Sequence, residues 1–177
     1  MADFSNTRST DRARGTAGRR PAASLLETAL EAGKLPPQAP ELEQAVLGAL
    51  MLERNAVNEA IDILKPDSFY VEAHKKIFDA ILGLFKNDQP IDILTVTQEL
   101  KKRGELDIVG GPFYISQLTN KVASSANMQY HARIISQKHI LRELIRVSAD
   151  TVRDAYDETT DVFDLLDRSE QEMYQIT

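Results

Sequence analysis

The chain has 177 residues, 42% of them hydrophobic and 27% charged, and a formal net charge of −6. This composition suits one well-buried core with a tail or appendage, and it excludes a chain that is disordered throughout. The chain has no cysteine, which excludes disulfides and thiolate zinc sites, and it has no apolar run of signal-peptide or membrane-span length. We therefore expect a cytoplasmic protein.

The charge is distributed unevenly along the chain. Residues 1–24 carry five arginines and two aspartates, a net charge of +3, and subtracting this from −6 leaves −9 for the remainder. An acidic body repels a phosphate backbone, although a basic tail can still touch it weakly. We therefore expect weak or no direct binding of nucleic acid.

The amino-terminal part of the sequence does not suit a packed fold. Residues 1–24 are rich in Ser, Thr, Arg, Gly and Ala and are predicted to be disordered. A leucine-rich stretch at 25–33 suits one short helix, and the proline-rich run 34–40 then extends the chain. We assign 1–39 to a disordered basic tail and leader, and we begin the domain at Pro40.

Five short amphipathic helices are predicted in residues 40–122. Their apolar spacing and turn signals place their starts near Pro40, at Val57, after Tyr70, at Asp92 and at Pro112. Asp92 is placed to cap the fourth helix, and three cations before Gly104 mark its end. These five helices form the predicted globular head.

A helical hairpin is predicted in residues 123–177. Its first arm runs from about Ala126 to Tyr156, and its second arm runs from Asp161 to about Gln175. Nothing repeats at a fixed period, and the β-branched residues do not alternate as they do in strands. The predicted class is all-α, a globular head of about five short helices followed by a long antiparallel hairpin.

The first arm of the hairpin is apolar in two sectors. One sector contains Ile134, Leu141, Ile145 and Val152, and the neighbouring sector contains Ile135, Ile140, Leu144 and Val147. A helix that covers only its hairpin partner needs one narrow stripe, so two sectors indicate contacts on two sides. The second contact is either another copy of the chain or the head.

The sequence lacks the residue patterns of catalytic and metal sites. No lysine is followed by Ser or Thr, as a phosphate loop requires. His131 and His139 lie eight positions apart, which does not suit metal ligation on one helix face. Ser124 and Ser125 have no nearby histidine and are typical of a helix cap. We predict no catalytic residue, cofactor or metal in this chain.

Five segments of the sequence match one family in their order and spacing. They are Pro36–Leu52, Asp67–Ile81, Gln89–Gly111, Phe113–Ile135 and Val162–Ile176. Together they resemble the N-terminal domain of the bacterial replicative DNA helicases of the DnaB type. Full-length members of that family are ATP-dependent 5′–3′ helicases whose RecA-like motor binds ATP and Mg. No motor sequence follows Thr177, so we expect an excised amino-terminal piece without helicase activity.

The resemblance implies a non-catalytic role in DNA replication. In the family, the N-terminal domains of six subunits form a collar above the motor ring, which docks the C-terminal domain of primase and can contact a helicase loader. We expect the sector of Ile134, Leu141, Ile145 and Val152 to serve self-association. For docking we select polar hairpin residues that a core does not need, namely Arg133, Lys138, Arg142, Arg146, Asp164 and Glu170.

Three other functions remain as alternatives. The helicase-binding domain of primase has a related head and hairpin, but a polymerase core would precede it, whereas here a basic leader does. A DNA-binding helical module would show a basic helix face, against which the acidic body argues. An enzyme is the poorest alternative, because no catalytic constellation is present.

Overall fold

The computed structural model describes residues 33–53, 55–120 and 127–176, and these residues form helices and connecting turns without a strand. The helices are α1 (Pro40–Leu52), α2 (Ala56–Ile61), α3 (Glu72–Lys86), α4 (Ile93–Lys102), α5 (Gly111–Asn120), α6 (Met128–Ala155) and α7 (Val162–Gln175), with a 3-10 turn at Pro66–Ser68. The all-α prediction, with five short helices before a hairpin, is confirmed. The predicted tail disorder and the cap at Ser124 or Ser125 lie outside the described residues.

The core of the head lies where α1 packs against α5 and α6, and where α3 packs against α4. Val46, Leu47 and Leu50 of α1 are fully buried, as the apolar spacing predicts. Phe78 of α3 packs against Phe69, with 4.9 Å between their ring centroids. Each such side chain contributes about 1.5–3 kcal/mol when it is fully buried. Apolar burial therefore stabilises the head.

The boundaries of α4 follow from local hydrogen bonds. Asp92 Oδ1 accepts from the backbone N–H groups of Leu94 at 2.8 Å and Thr95 at 2.9 Å. Thr95 Oγ1 accepts in turn from the Asp92 N–H at 2.9 Å, which completes a capping box. Gly104 follows the helix with a φ of +72°, a conformation that suits glycine. The predicted cap at Asp92 is confirmed.

The second predicted helix, Val57–Leu64, is shorter than expected. It spans Ala56–Ile61, after which the N–H groups of Ile63 and Leu64 both donate to the Ala60 carbonyl. Pro66 lacks an N–H donor, and its ring disfavours helical geometry in the preceding residue. The chain therefore leaves the helix before the proline and turns towards α3.

Helix α6 belongs to both the head and the hairpin. Met128, Ala132 and Ile135 are buried in the head core. Further along, Arg146 bonds to Glu172 of α7 at 3.3 Å. With 28 residues, α6 is about 42 Å long, so most of it extends beyond its apolar anchor in the head.

Candidate protein-interaction surface

The predicted self-association sector remains largely uncovered. Leu141 and Val152 are 44% and 57% exposed, and Ile134 and Ile145 are half-buried. Their spacing places all four on one face of α6. Helix α7 packs against another face, where the Thr151 hydroxyl lies 3.2 Å from that of Ser169. No described part of the chain therefore covers this sector fully.

A second exposed apolar surface lies on α7, where sequence reasoning proposed the charged residues Asp164 and Glu170 for docking but no apolar contact residue. The exposed side chains are Val162, Phe163, Leu166, Met173 and Tyr174. None of the α7 residues is buried. The sequence contained a sign of this surface. Phe163 and Tyr174 lie outside the narrow apolar stripe of α7 that a single packing partner, α6, can cover.

The charged residues selected for docking do not form one cluster. Arg133 is exposed near the start of α6, while Asp164 is exposed near the start of α7. Because the arms are antiparallel, these two positions lie about 30 Å apart along the hairpin by helical rise. Lys138 is half-buried and Glu170 is exposed between them. The arrangement suits scattered contacts at the rim of an interface.

Arg146 forms three ion pairs, and one of them joins the two arms of the hairpin. Its guanidinium lies 3.0 Å from Glu143, 3.3 Å from Asp150 and 3.3 Å from Glu172. The pair with Glu172 joins the two arms, and a pair between Arg168 and Asp154 joins them again. Arg146 therefore helps to join the two arms, and its side chain is also partly exposed to solvent.

The prediction that Arg142 is a surface residue is wrong. Its side chain is only 4% exposed. It donates to the carbonyls of Pro37 at 3.0 Å and Ser68 at 2.7 Å, and it lies 3.5 Å from that of Asp67. Its guanidinium carbon sits 5.7 Å from the centroid of the Tyr70 ring. Burial lowers the pKa of Arg142, and the carbonyl acceptors offset the cost of desolvating its charge.

A buried polar network, missed by sequence reasoning, connects α1, α3 and α5. Glu43 of α1 is 1% exposed and accepts from the N–H groups of Tyr70 at 2.7 Å and Val71 at 3.3 Å. It also lies 2.7 Å from Nδ1 of His74. Helix α3 begins after Val71, which has no polar side chain to serve as a cap. Glu43 therefore satisfies donors at the α3 N-terminus from another helix.

His74 completes this network without reaching solvent. With its proton on Nδ1, facing Glu43, His74 accepts at Nε2 from the Tyr114 hydroxyl at 2.7 Å. Burial raises the pKa of Tyr114, which keeps its hydroxyl protonated as a donor. His74 is 0% exposed, so no substrate reaches its ring. The arrangement is structural, and it ties α5 to α3 and α1.

The described residues contain neither a metal-binding cluster nor a membrane-spanning helix. No group of three or more His, Cys, Asp or Glu side chains there has a geometry that could hold a metal ion. No helix in those residues is long and apolar enough to cross a membrane.

Comparison with known proteins identifies the family. The family model described as the DnaB-like helicase N terminal domain matches residues 35–137. The chain belongs to this family. The matched region starts before Pro40 and so includes Pro37, whose carbonyl bonds to Arg142. The proline-rich leader before Pro40 is thus partly a component of the DnaB-like domain.

Individual relatives agree with this assignment. The chain is 48% identical over 162 residues to the replicative DNA helicase DnaB of Rhodothermus marinus, and 41% identical over 143 residues to DnaC, the replicative DNA helicase of Bacillus subtilis. These matches cover 92% and 81% of this chain, but only 17% and 32% of the two relatives. The chain thus corresponds to the N-terminal domain of such helicases and not to their motor.

Solved structures show the same fold. The N-terminal domain of DnaB helicase from Mycobacterium tuberculosis superposes with a TM-score of 0.76 at 37% identity, covering 80% of this chain and 99% of that domain. A DnaB-like replicative helicase, described with its interactions with primase, gives a TM-score of 0.63 at 23% identity. That match covers 78% of this chain and 32% of the helicase, and it shows a shared fold.

Proposed function

We propose that this chain is a non-catalytic oligomerisation and primase-docking domain of a replicative DNA helicase. It organises the N-terminal collar of the hexamer in the cytoplasm and couples primer synthesis to unwinding during DNA replication. A helicase loader is a further partner. The proposal rests chiefly on one observation, the apolar hairpin surface that the described chain leaves uncovered in a DnaB-like domain.

Self-association is proposed through the α6 sector of Ile134, Leu141, Ile145 and Val152. Contiguous exposed apolar surface of this kind usually marks a protein contact. Closed homo-oligomers often use the same patch on both subunits, and a helix face can satisfy that symmetry. The exposed α7 side chains Phe163 and Leu166 extend the apolar area of the hairpin.

Paired charge substitutions in this sector test self-association. In Leu141→Asp/Val152→Asp, two exposed apolar positions would each bury a carboxylate in the contact, which is costly. We expect sedimentation velocity to show a dissociation constant at least about tenfold higher, equivalent to about 1.4 kcal/mol. The control is Leu94→Asp on the head, where Leu94 is 79% exposed. Equal association of the double variant and the control would contradict this role.

Primase docking is proposed at the exposed polar residues of the hairpin. The structural relative described with primase supports this partner by shared fold. We retain Arg133, Lys138, Asp164 and Glu170, and Arg146 as a minor contributor because it is already paired. Arg142 is excluded because it is buried. Charges at the rim of a contact mainly tune association rate and specificity.

Charge reversal on each arm locates the primase contact. We would compare Arg133→Glu/Lys138→Glu with Asp164→Lys/Glu170→Lys, using Lys101→Glu on the exposed surface of α4 as the control. Biolayer interferometry with the C-terminal domain of primase should show one reversed pair binding at least about fivefold more weakly, with the loss reduced at high salt. If both pairs bind primase as tightly as the control, these residues do not dock it.

A further inference from the structure

Helix α6 packs against α1, α2 and the 3-10 turn of the head, and these contacts include an apolar anchor and a polar anchor. The first is apolar, and it consists of Met128, Ala132 and Ile135 within the head core. The second is Arg142, seven residues or about 10 Å further along the helix axis. A helix that is held only near its start can tilt relative to the head, whereas a second attachment further along the helix fixes its direction. Arg142 is therefore placed to set the direction of the hairpin.

The Arg142 side chain joins three parts of the chain by hydrogen bonds and a ring contact, and an apolar side chain could not make those hydrogen bonds. It donates to Pro37 in the leader and to Ser68 in the 3-10 turn, and it lies against the ring of Tyr70 before α3. Both acceptors are backbone carbonyls, which a planar guanidinium can reach with separate N–H groups. A lysine has one compact ammonium group and cannot match that spread.

The second arm depends on this same attachment. Helix α7 packs against α6, through the pairs of Arg146 with Glu172 and Arg168 with Asp154. The direction of α6 consequently determines where both exposed hairpin surfaces lie relative to the head.

We propose that Arg142 is a positioning residue that locks the angle between head and hairpin. Any partner or neighbouring subunit that contacts head and hairpin together needs that angle, a consequence that rests on the proposed function. From Ile135 to Ala155 the arm measures about 30 Å, so a tilt of about 10° at the inner anchor moves the tip by about 5 Å. Displacements of that size disrupt a preformed composite surface.

Pulsed electron paramagnetic resonance measures this angle directly. The chain has no cysteine, so spin labels at Asn58→Cys in the head and Glu158→Cys at the hairpin tip, both exposed sites, would be unique. Labelled protein is diluted into unlabelled protein to remove distances between subunits. The variants are Arg142→Gln and Arg142→Lys, and the control is Gln137→Ala at an exposed position of the same helix.

We expect one narrow distance distribution in the parent and in the control. Arg142→Gln should broaden it by about 5 Å, as the tilt arithmetic gives, and Arg142→Lys should broaden it less. Circular dichroism shows which variants remain folded, and if Arg142→Gln does not fold, Arg142→Lys decides the question. The inference is wrong if Arg142→Lys folds and gives the parent distance distribution, and if Arg142→Gln, where it folds, does the same. If the distance distribution broadens in the variants but the parent domain does not bind primase, Arg142 still sets the angle between head and hairpin and the proposed docking function is wrong.

Discussion

Glu43, His74 and Arg142 each connect parts of the chain that are far apart in sequence. Glu43 reaches Tyr70 and His74, and Arg142 reaches Pro37. Glu43 is 1% exposed and His74 is 0% exposed. Buried polar groups stay buried at tolerable cost only when their hydrogen bonds are made. Their loss should therefore cost more than the loss of surface charges.

Glu43→Ala tests this at one residue. The substitution removes the acceptor of the half-buried N–H groups of Tyr70 and Val71 and the partner of the buried His74 ring. We expect the free energy of unfolding to fall by about 2–4 kcal/mol, measured by urea denaturation. The control is Glu41→Ala, an exposed position of the same helix. A change as small as that of the control would show that Glu43 is not needed for the packing of α3.

These polar residues also show what sequence reasoning misses. Glu43 and His74 lie in phase with the apolar stripes of α1 and α3, and that phase was a usable sign of burial. Arg142 lies seven residues after Ile135 and so shares the face of α6 that packs on the head, but sequence reasoning grouped it with the other hairpin cations. Its acceptors are backbone carbonyls 105 and 74 residues away, and a side-chain pattern carries no information about them.

At the scale of helices, caps and prolines account for most of the observed boundaries. Asp92 and Asp161 both accept from backbone N–H groups of the first turn that follows them. Pro40 begins α1, where its missing N–H costs nothing. Such signals are local in sequence, and this is why the order and class of the helices could be predicted.

Asp92→Ala should weaken α4 measurably. It removes the acceptor for the N–H groups of Leu94 and Thr95 and the capping box with Thr95. We expect a loss of about 1 kcal/mol in the free energy of unfolding, measured by thermal or urea denaturation. Asp107→Ala, at an exposed position between α4 and α5, provides the comparison. A matching small effect in both variants would mean that the cap adds little to α4.

At the scale of the whole molecule, the head closes around a buried core to which the start of α6 contributes, whereas the hairpin leaves large apolar side chains exposed. Of the two apolar sectors of α6, one buries Ile135 in the head and also buries Val147, although its Leu144 is 38% exposed. The other sector leaves Leu141 and Val152 exposed. The sequence predicted contacts on two sides of α6 but left open whether the second contact was another copy of the chain or the head. That choice depends on how α6 crosses the head, and Arg142 and the apolar anchor set the crossing together.

Native mass spectrometry of this chain, alone and mixed with the C-terminal domain of primase from the same organism, tests the central claim most directly. We expect dimers or hexamers of the chain alone, and added mass at defined ratios in the mixture. Contacts that must form and dissociate at a fork are of modest affinity, so concentrations of roughly tens of micromolar are suitable. A chain that stays monomeric and ignores primase at those concentrations would contradict both proposed roles and leave only the fold.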